Sequence, residues 1–172
     1  TLGIGPEVIA TLPEIGTLIT ALVPGGHLDP EPFTRRLPQV VDLLHTFHDS
    51  GPLNGAFPIH RVVEWHARDA VVQGGTLPAA YDRLHAQGGR IEKAFAMARQ
   101  PWVPCHNDLL PGNVLFEDAG RAWLLDFEYA GMNDRFFDLG NLSVNCGLNA
   151  AADEELLRLY FGESTPTRWA RL

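Results

Sequence analysis

The chain has 172 residues, enough for one domain, or one and a part, with a hydrophobic core of its own. Lys and Arg number 13 against 21 Asp and Glu, and the resulting formal charge of −8 weighs against a nucleic-acid or anionic-membrane surface. Two cysteines without a CxxC pair argue against a disulfide scaffold or thiol zinc site, and no run of 18 apolar residues offers a bilayer span.

The opening Thr1–Pro6 has no basic segment ahead of an apolar one, so a signal peptide is not expected and the expected setting is a reducing cytoplasm. Val8–Thr11 and Thr17–Val23 predict short strands around a Pro13-Glu14-Ile15-Gly16 turn. Pro24-Gly25-Gly26 ends the second strand, where paired glycines allow a sharp change of direction. Asp29-Pro30-Glu31-Pro32 reads as the start of a helix. From Phe33 the apolar residues Leu37, Val40, Val41, Leu44 and Phe47 recur at helical spacing and predict a helix over 33–48. After a loop at Gly51–Pro58, a second helix spans Val62–Val72 and is ended by Gly74-Gly75. Pro78 suits a first turn, and Tyr81, Leu84, Ile91 and Phe95 predict a third helix to about Arg99, unless Gly88-Gly89 divides it.

The pattern changes at Pro101. Val103–Cys105 reads as a short extended piece, and 106–113 as a polar loop. Val114–Phe116 and Ala122–Leu125 predict two strands joined by a turn at Glu117-Asp118-Ala119-Gly120, and 126–137 is a second polar loop. A helix is expected to follow Asp138, and another to cover Asp153–Phe161. Thr167–Leu172 resembles the first turns of a further helix. The expected fold class is α+β, mainly helical, with a small strand pair displaying two polar loops.

Those loops hold the residues that can do chemistry. Phosphoryl transfer needs a carboxylate to orient and deprotonate a hydroxyl, and oxygen donors for magnesium that neutralises the shifting phosphate charge. Asp108 and Asn113 are separated by four residues, the Asp/Asn spacing of the H-R-D-x-x-x-x-N loop of protein kinases. Thirteen residues further on, Asp126 leaves the apolar run Trp123-Leu124-Leu125, a rigid placement that suits a metal ligand. Asp126-Phe127-Glu128 occupies the position of a kinase D-F-G. An isolated Asp-x4-Asn is usually a turn or a cap. Its conjunction with a preceding His106, a short hairpin and a strand-ending Asp is what points to a site.

The stretches CHNDLLPGNVLF (Cys105–Phe116) and LLDFEYAGMNDRFFDLGNL (Leu124–Leu142) closely resemble the choline/ethanolamine kinase family, within the kinase-like phosphotransferases that include aminoglycoside phosphotransferases. The resemblance implies the C-terminal lobe of a protein-kinase-like fold, with ATP and Mg2+ as cofactors and a small, cationic acceptor. It implies Asp108 as catalytic base and Asn113 and Asp126 as magnesium ligands. Glu128 is implied at a second metal or on the substrate side, and His106 as structural support. Asp138 resembles an aspartate whose helix-capping carboxylate ties its helix to the catalytic loop, with Arg135 paired to it or to another local acid. Leu18, Ile19, Thr20, Ala21 and Leu22 resemble the hinge that contacts adenine through backbone groups. Asn145 stands where choline kinases carry an acid facing the quaternary ammonium, a departure that bears on the acceptor.

A glycine-rich phosphate loop and its partner lysine do not precede this hinge. The expectation is therefore a chain in two parts of a longer protein: 1–23, the hinge and end of an N-terminal lobe, and 24–172, a C-terminal catalytic lobe cut short. Choline or ethanolamine is the leading acceptor. An aminoglycoside or sugar-like acceptor and a non-catalytic nucleotide-binding pseudokinase are the alternatives, and a homodimer is compatible with any of them.

Overall fold

The computed structural model describes residues 2–27, 33–118 and 120–172. Strands β1 (Val8–Leu12) and β2 (Thr17–Thr20) pair antiparallel, with Leu12 opposite Thr17 and Thr11 opposite Leu18. Between them Pro13–Ile15 makes a 3-10 turn, closed by Gly16 at φ +62°, a conformation that costs glycine little. The second strand stops at Thr20, short of the expected Val23. Ala21 still donates its N–H to Glu7 O at 2.8 Å, and Gly26 exchanges both backbone hydrogen bonds with Phe116 at 3.0 and 2.9 Å. Gly25 makes that approach possible. A Cβ there would lie 2.4 Å from Leu115 Cδ2 and 2.5 Å from Phe116 O.

Helix α1 (Leu37–His48) carries Pro38 in its first turn and buries the stripe Leu37, Val40, Val41, Leu44, Phe47 and His48. The helix start expected at 29–32 lies outside the described residues. Helices α2 (Ile59–Val72) and α3 (Tyr81–Met97) form an arm in which no residue is fully buried. Gly88-Gly89 does not divide α3. Both glycines lie under His60, where a Cβ at Gly88 would sit 2.8 Å from Cε1 and one at Gly89 3.2 Å from Nε2. The His60 ring in turn stacks on His85 at 4.9 Å. Close helix–helix approach, not a helix end, accounts for the pair.

Two more antiparallel pairs follow. β3 (Val103–Cys105) pairs with β6 (Gly131–Asn133), and β4 (Val114–Phe116) with β5 (Ala122–Leu124). The hairpin is as expected, although Ala119 of its turn lies outside the described residues. β6 falls within a segment expected to be loop. Three residues are too few to show alternation, but buried β3 needs hydrogen-bond partners and takes them there. Helix α4 (Arg135–Asn145) begins before Asp138 rather than after it, capped by Asp134 accepting from Phe136 N at 3.0 Å. Helix α5 (Ala150–Phe161) also starts early, because Asn149 caps it from outside the apolar pattern. The short α6 (Pro166–Trp169) closes the chain. One core joins α1, the β4–β5 hairpin, α4 and α5 through Val40, Leu44, Val114, Leu124, Leu139, Leu142, Leu156 and Leu157. The polar loops before Asn113 and after Leu125 emerge from this core.

Candidate active site

Asp138 lies in the first turn of α4 with no exposed surface. Its Oδ1 accepts from Asn107 N at 2.7 Å, and its Oδ2 accepts from His106 N at 2.7 Å and His48 Nε2 at 3.0 Å. The expected helix-capping role falls to Asp134. Asp138 instead accepts three hydrogen bonds, two from the loop and one from α1. Asn107 takes the left-handed conformation at φ +66°, tolerable for asparagine, and its side chain bridges Tyr129 O and Asn133 Nδ2, each at 2.9 Å. On the far side of Asp108, Leu109 N donates to Asn141 Oδ1 at 2.5 Å. Asp108 is thus bracketed by three anchored backbone amides.

Asn113 is buried and turned toward Asp108. Its Nδ2 donates to Asp108 O at 2.8 Å and to Asp108 Oδ2 at 3.0 Å. Its Oδ1 has no hydrogen-bond partner among the described residues. Asn113 O accepts from Leu125 N at 2.9 Å, and Leu125 O accepts from His106 Nε2 at 2.8 Å. His106 is a completely buried support for the strand exit that precedes Asp126. Asp126 takes φ +60° and ψ +68°, a conformation uncommon for non-glycine residues, which leaves its side chain exposed. The hydrogen bonds therefore connect Asp108, Asn113 and the backbone adjoining Asp126. Glu128 is exposed on the 3-10 turn Phe127–Tyr129, whose Phe127 ring packs against His106 and Phe47.

A small cavity of about 290 Å³ opens between Pro6, Thr20–Val23, Leu115 and Leu125. Of the five hinge candidates, Thr20, Ala21 and Leu22 line it, whereas Leu18 and Ile19 stay on β2. Leu125 is common to the cavity and to the backbone that positions Asp126. A larger apolar cavity, about 790 Å³ between α2, α3 and the start of α4, includes none of the candidate catalytic or metal residues. Asn145 is half-buried at the end of α4. Arg135 does not pair with Asp138; its guanidinium faces the Tyr160 ring and hydroxyl. The ion pair at this end of α4 is Arg171 with Asp134.

Sequence reasoning missed His48, Asn107, Asn133, Asn141 and Tyr160. Asn141 had a signal, since it follows Asp138 by one helical turn and shares its face. His48 had none, coming 90 residues before its carboxylate partner. His48, Cys105 and Asp138 do bring ligand atoms within 4.8 Å of one another. A metal does not fit there. Both Asp138 oxygens already accept N–H donors, and both His48 nitrogens already face protein partners.

The phosphotransferase enzyme family matches residues 5–172. The chain belongs to that family. Among similar proteins is the protein LicA of Haemophilus influenzae, 39% identical over 61 residues, covering 36% of this chain and 22% of LicA. Ethanolamine kinase 2 of Mus musculus is 29% identical over 136 residues, 74% of this chain and 34% of that kinase. A crystal structure of a choline/ethanolamine kinase family protein from Mesorhizobium loti superposes with TM-score 0.84 at 34% identity, over 99% of this chain and 60% of that one. The chain thus spans about a fifth to a third of these curated relatives. The kinase-like α+β fold expected from the sequence is the fold found in this chain. No helix among the described residues is long and apolar enough to cross a membrane.

Proposed function

We propose that this chain carries the catalytic part of an ATP-dependent small-molecule kinase whose acceptor is choline or ethanolamine. The observation that supports it best is the 3.0 Å hydrogen bond between Asn113 and the Asp108 carboxylate, on a loop pinned at His106, Asn107 and Leu109. An acceptor hydroxyl would give its proton to Asp108, held in one orientation by the Asn113 amide. Thr20–Leu22 would meet the adenine edge, with Leu115 and Leu125 against its face.

The unpartnered Asn113 Oδ1 and the exposed Asp126 carboxylate are hard oxygen donors, and the set fits magnesium. Asn113 and Asp126 would hold it, with Glu128 at a second ion or on the acceptor side. When bound, the ion would neutralise phosphate charge. The chain's own contribution is positioning: fixed backbone anchors spare the loop any reorganisation during transfer.

Asn145 favours a second reading. A neutral amide attracts a quaternary ammonium far less than a carboxylate does, which suits an aminoglycoside or sugar-like hydroxyl acceptor. Phosphate transfer from ATP to choline, ethanolamine, aminoglycosides and sugars, by wild type and Asp108→Ala, tests both readings. Transfer to choline or ethanolamine that Asp108→Ala abolishes supports the first. Transfer only to the others supports the second. Transfer undiminished in Asp108→Ala would sink the catalytic assignment.

A further inference from the structure

A carboxylate can only accept hydrogen bonds, so every group facing Asp138 must donate. His48 therefore presents its proton on Nε2, 3.0 Å from Oδ2. Its Nδ1 then offers a lone pair, and the Tyr160 hydroxyl 2.5 Å away is placed to donate to it. Burial pushes the Tyr160 phenol well above its usual range, which keeps that proton in place. At the outer end Arg135 Nη1 lies 3.5 Å from the Tyr160 oxygen, and a guanidinium donates without ever accepting. The ring itself is fixed by His45, stacked on it at 4.3 Å, and by the edge of Phe161 at 4.7 Å. Arginine to tyrosine, tyrosine to histidine and histidine to aspartate form a chain with one direction.

The direction matters because the imidazole has a choice. With its proton on Nδ1 instead, an Nε2 lone pair would face a carboxylate oxygen at 3.0 Å, in a spot with no exposed surface. That repulsion would move Asp138 away from the two backbone amides it holds beside Asp108. The carboxylate favours the proton on Nε2, and Tyr160, more than 20 residues after Asp138 in the chain, reinforces that preference by capping Nδ1 from the other side.

We propose that Tyr160 is a positioning residue for the catalytic loop: by donating to His48 Nδ1 it holds the imidazole in the tautomer that lets Asp138 anchor His106 and Asn107. The effect on turnover rests on the phosphotransfer reading; the effect on the loop does not. Tyr160→Phe removes only the hydroxyl and keeps the ring between His45 and Phe161. In His48→Gln the side-chain amide supplies an N–H to Asp138 without a tautomeric choice, so a second change at Tyr160 should no longer matter.

The test combines nitrogen NMR of the His48 ring, amide exchange at His106 and Asn107, and steady-state phosphate transfer. Wild type should show the proton on Nε2. In Tyr160→Phe the His48 signal should shift toward the other tautomer, and exchange at His106 and Asn107 should rise about tenfold, the loss of one buried hydrogen bond. Exchange at Leu139 and Leu156 should not change. In the phosphotransfer assay kcat should fall while KM for nucleotide stays within about twofold. Tyr160→Phe in the His48→Gln background should add nothing to either exchange or kcat. An unchanged tautomer and unchanged loop exchange in Tyr160→Phe overturn the proposal, as does an equal effect of Tyr160→Phe in both backgrounds. If wild type transfers no phosphate, the phosphotransfer reading falls, and tautomer and exchange still decide the role of Tyr160 in the loop.

Discussion

Replacing Asp138 by Asn changes one oxygen to NH2 at the most heavily used acceptor of the site. Asp138 receives three N–H groups, two on Oδ2 and one on Oδ1, with no exposed surface. An asparagine has one acceptor oxygen. In its better orientation the oxygen takes the place of Oδ2 and serves His106 and His48, while its NH2 meets the Asn107 N–H head-on. A hydrogen bond to a charged group contributes about 1.5–3 kcal/mol, and a buried donor left unpaired costs about 1–3 kcal/mol. These overlap, so the expected loss is ~2–4 kcal/mol, with the opposite orientation worse because it strands two donors. A domain stable by ~5–15 kcal/mol stays folded through such a loss. Urea unfolding followed by tryptophan fluorescence should show a lower midpoint at unchanged slope. Amide exchange should speed most at Asn107, with His106 less affected. A loss below about 1 kcal/mol, or exchange raised equally throughout the core, would refute the claim that this carboxylate clamps the loop.

Gly25→Ala should cost at least ~2 kcal/mol, because its Cβ would overlap Leu115 and the Phe116 carbonyl. Denaturant unfolding checks this, and a loss under about 0.5 kcal/mol would show that the segment after the hinge is not held against β4. Both cysteines should resist thiol reagents in the folded protein at about pH 8, since the thiolate is the reactive form and burial disfavours it. Rapid labelling of either without unfolding would contradict their packing. The Cys146 thiol is pushed up from 9.0 to about 11, so the unfolded chain loses that proton first. Stability from this group is intact below the ordinary thiol range and declines as pH climbs from 9.0 toward about 11, measurable by denaturation at two alkaline pH values. Asp108→Ala should reduce phosphate transfer by ~10²–10⁴-fold with nucleotide affinity largely kept, and a near-wild-type kcat would remove Asp108 from the chemistry.

What the sequence made legible was whatever repeats or is spaced locally. The stripe Leu37–Phe47 gave α1, and short apolar runs flanking two glycine-containing turns gave β1, β2 and the β4–β5 hairpin. The Asp108–Asn113 spacing pointed to two residues that the fold joins by a direct hydrogen bond. The misreadings have a common physical source, choices settled by distant partners. Asp134 and Asp138 are both acids near the start of α4, and only the arrival of His106, Asn107 and His48 decides which one caps and which one clamps. Gly88-Gly89 could end a helix or admit a neighbour, and His60 from α2 decides it. β6 exists because β3 needs a partner, which no property of Gly131–Asn133 announces.

The central claim is that Asn113 and Asp126 form a magnesium-nucleotide site beside Asp108. Calorimetric titration of ATP into wild type, Asn113→Ala and Asp126→Ala, each with and without Mg2+, measures it most directly. Binding to wild type should strengthen with Mg2+, and either variant should lose at least tenfold, about 1.4 kcal/mol, with the magnesium dependence gone. Nucleotide affinity that ignores Mg2+, or that survives intact in both variants, would contradict it.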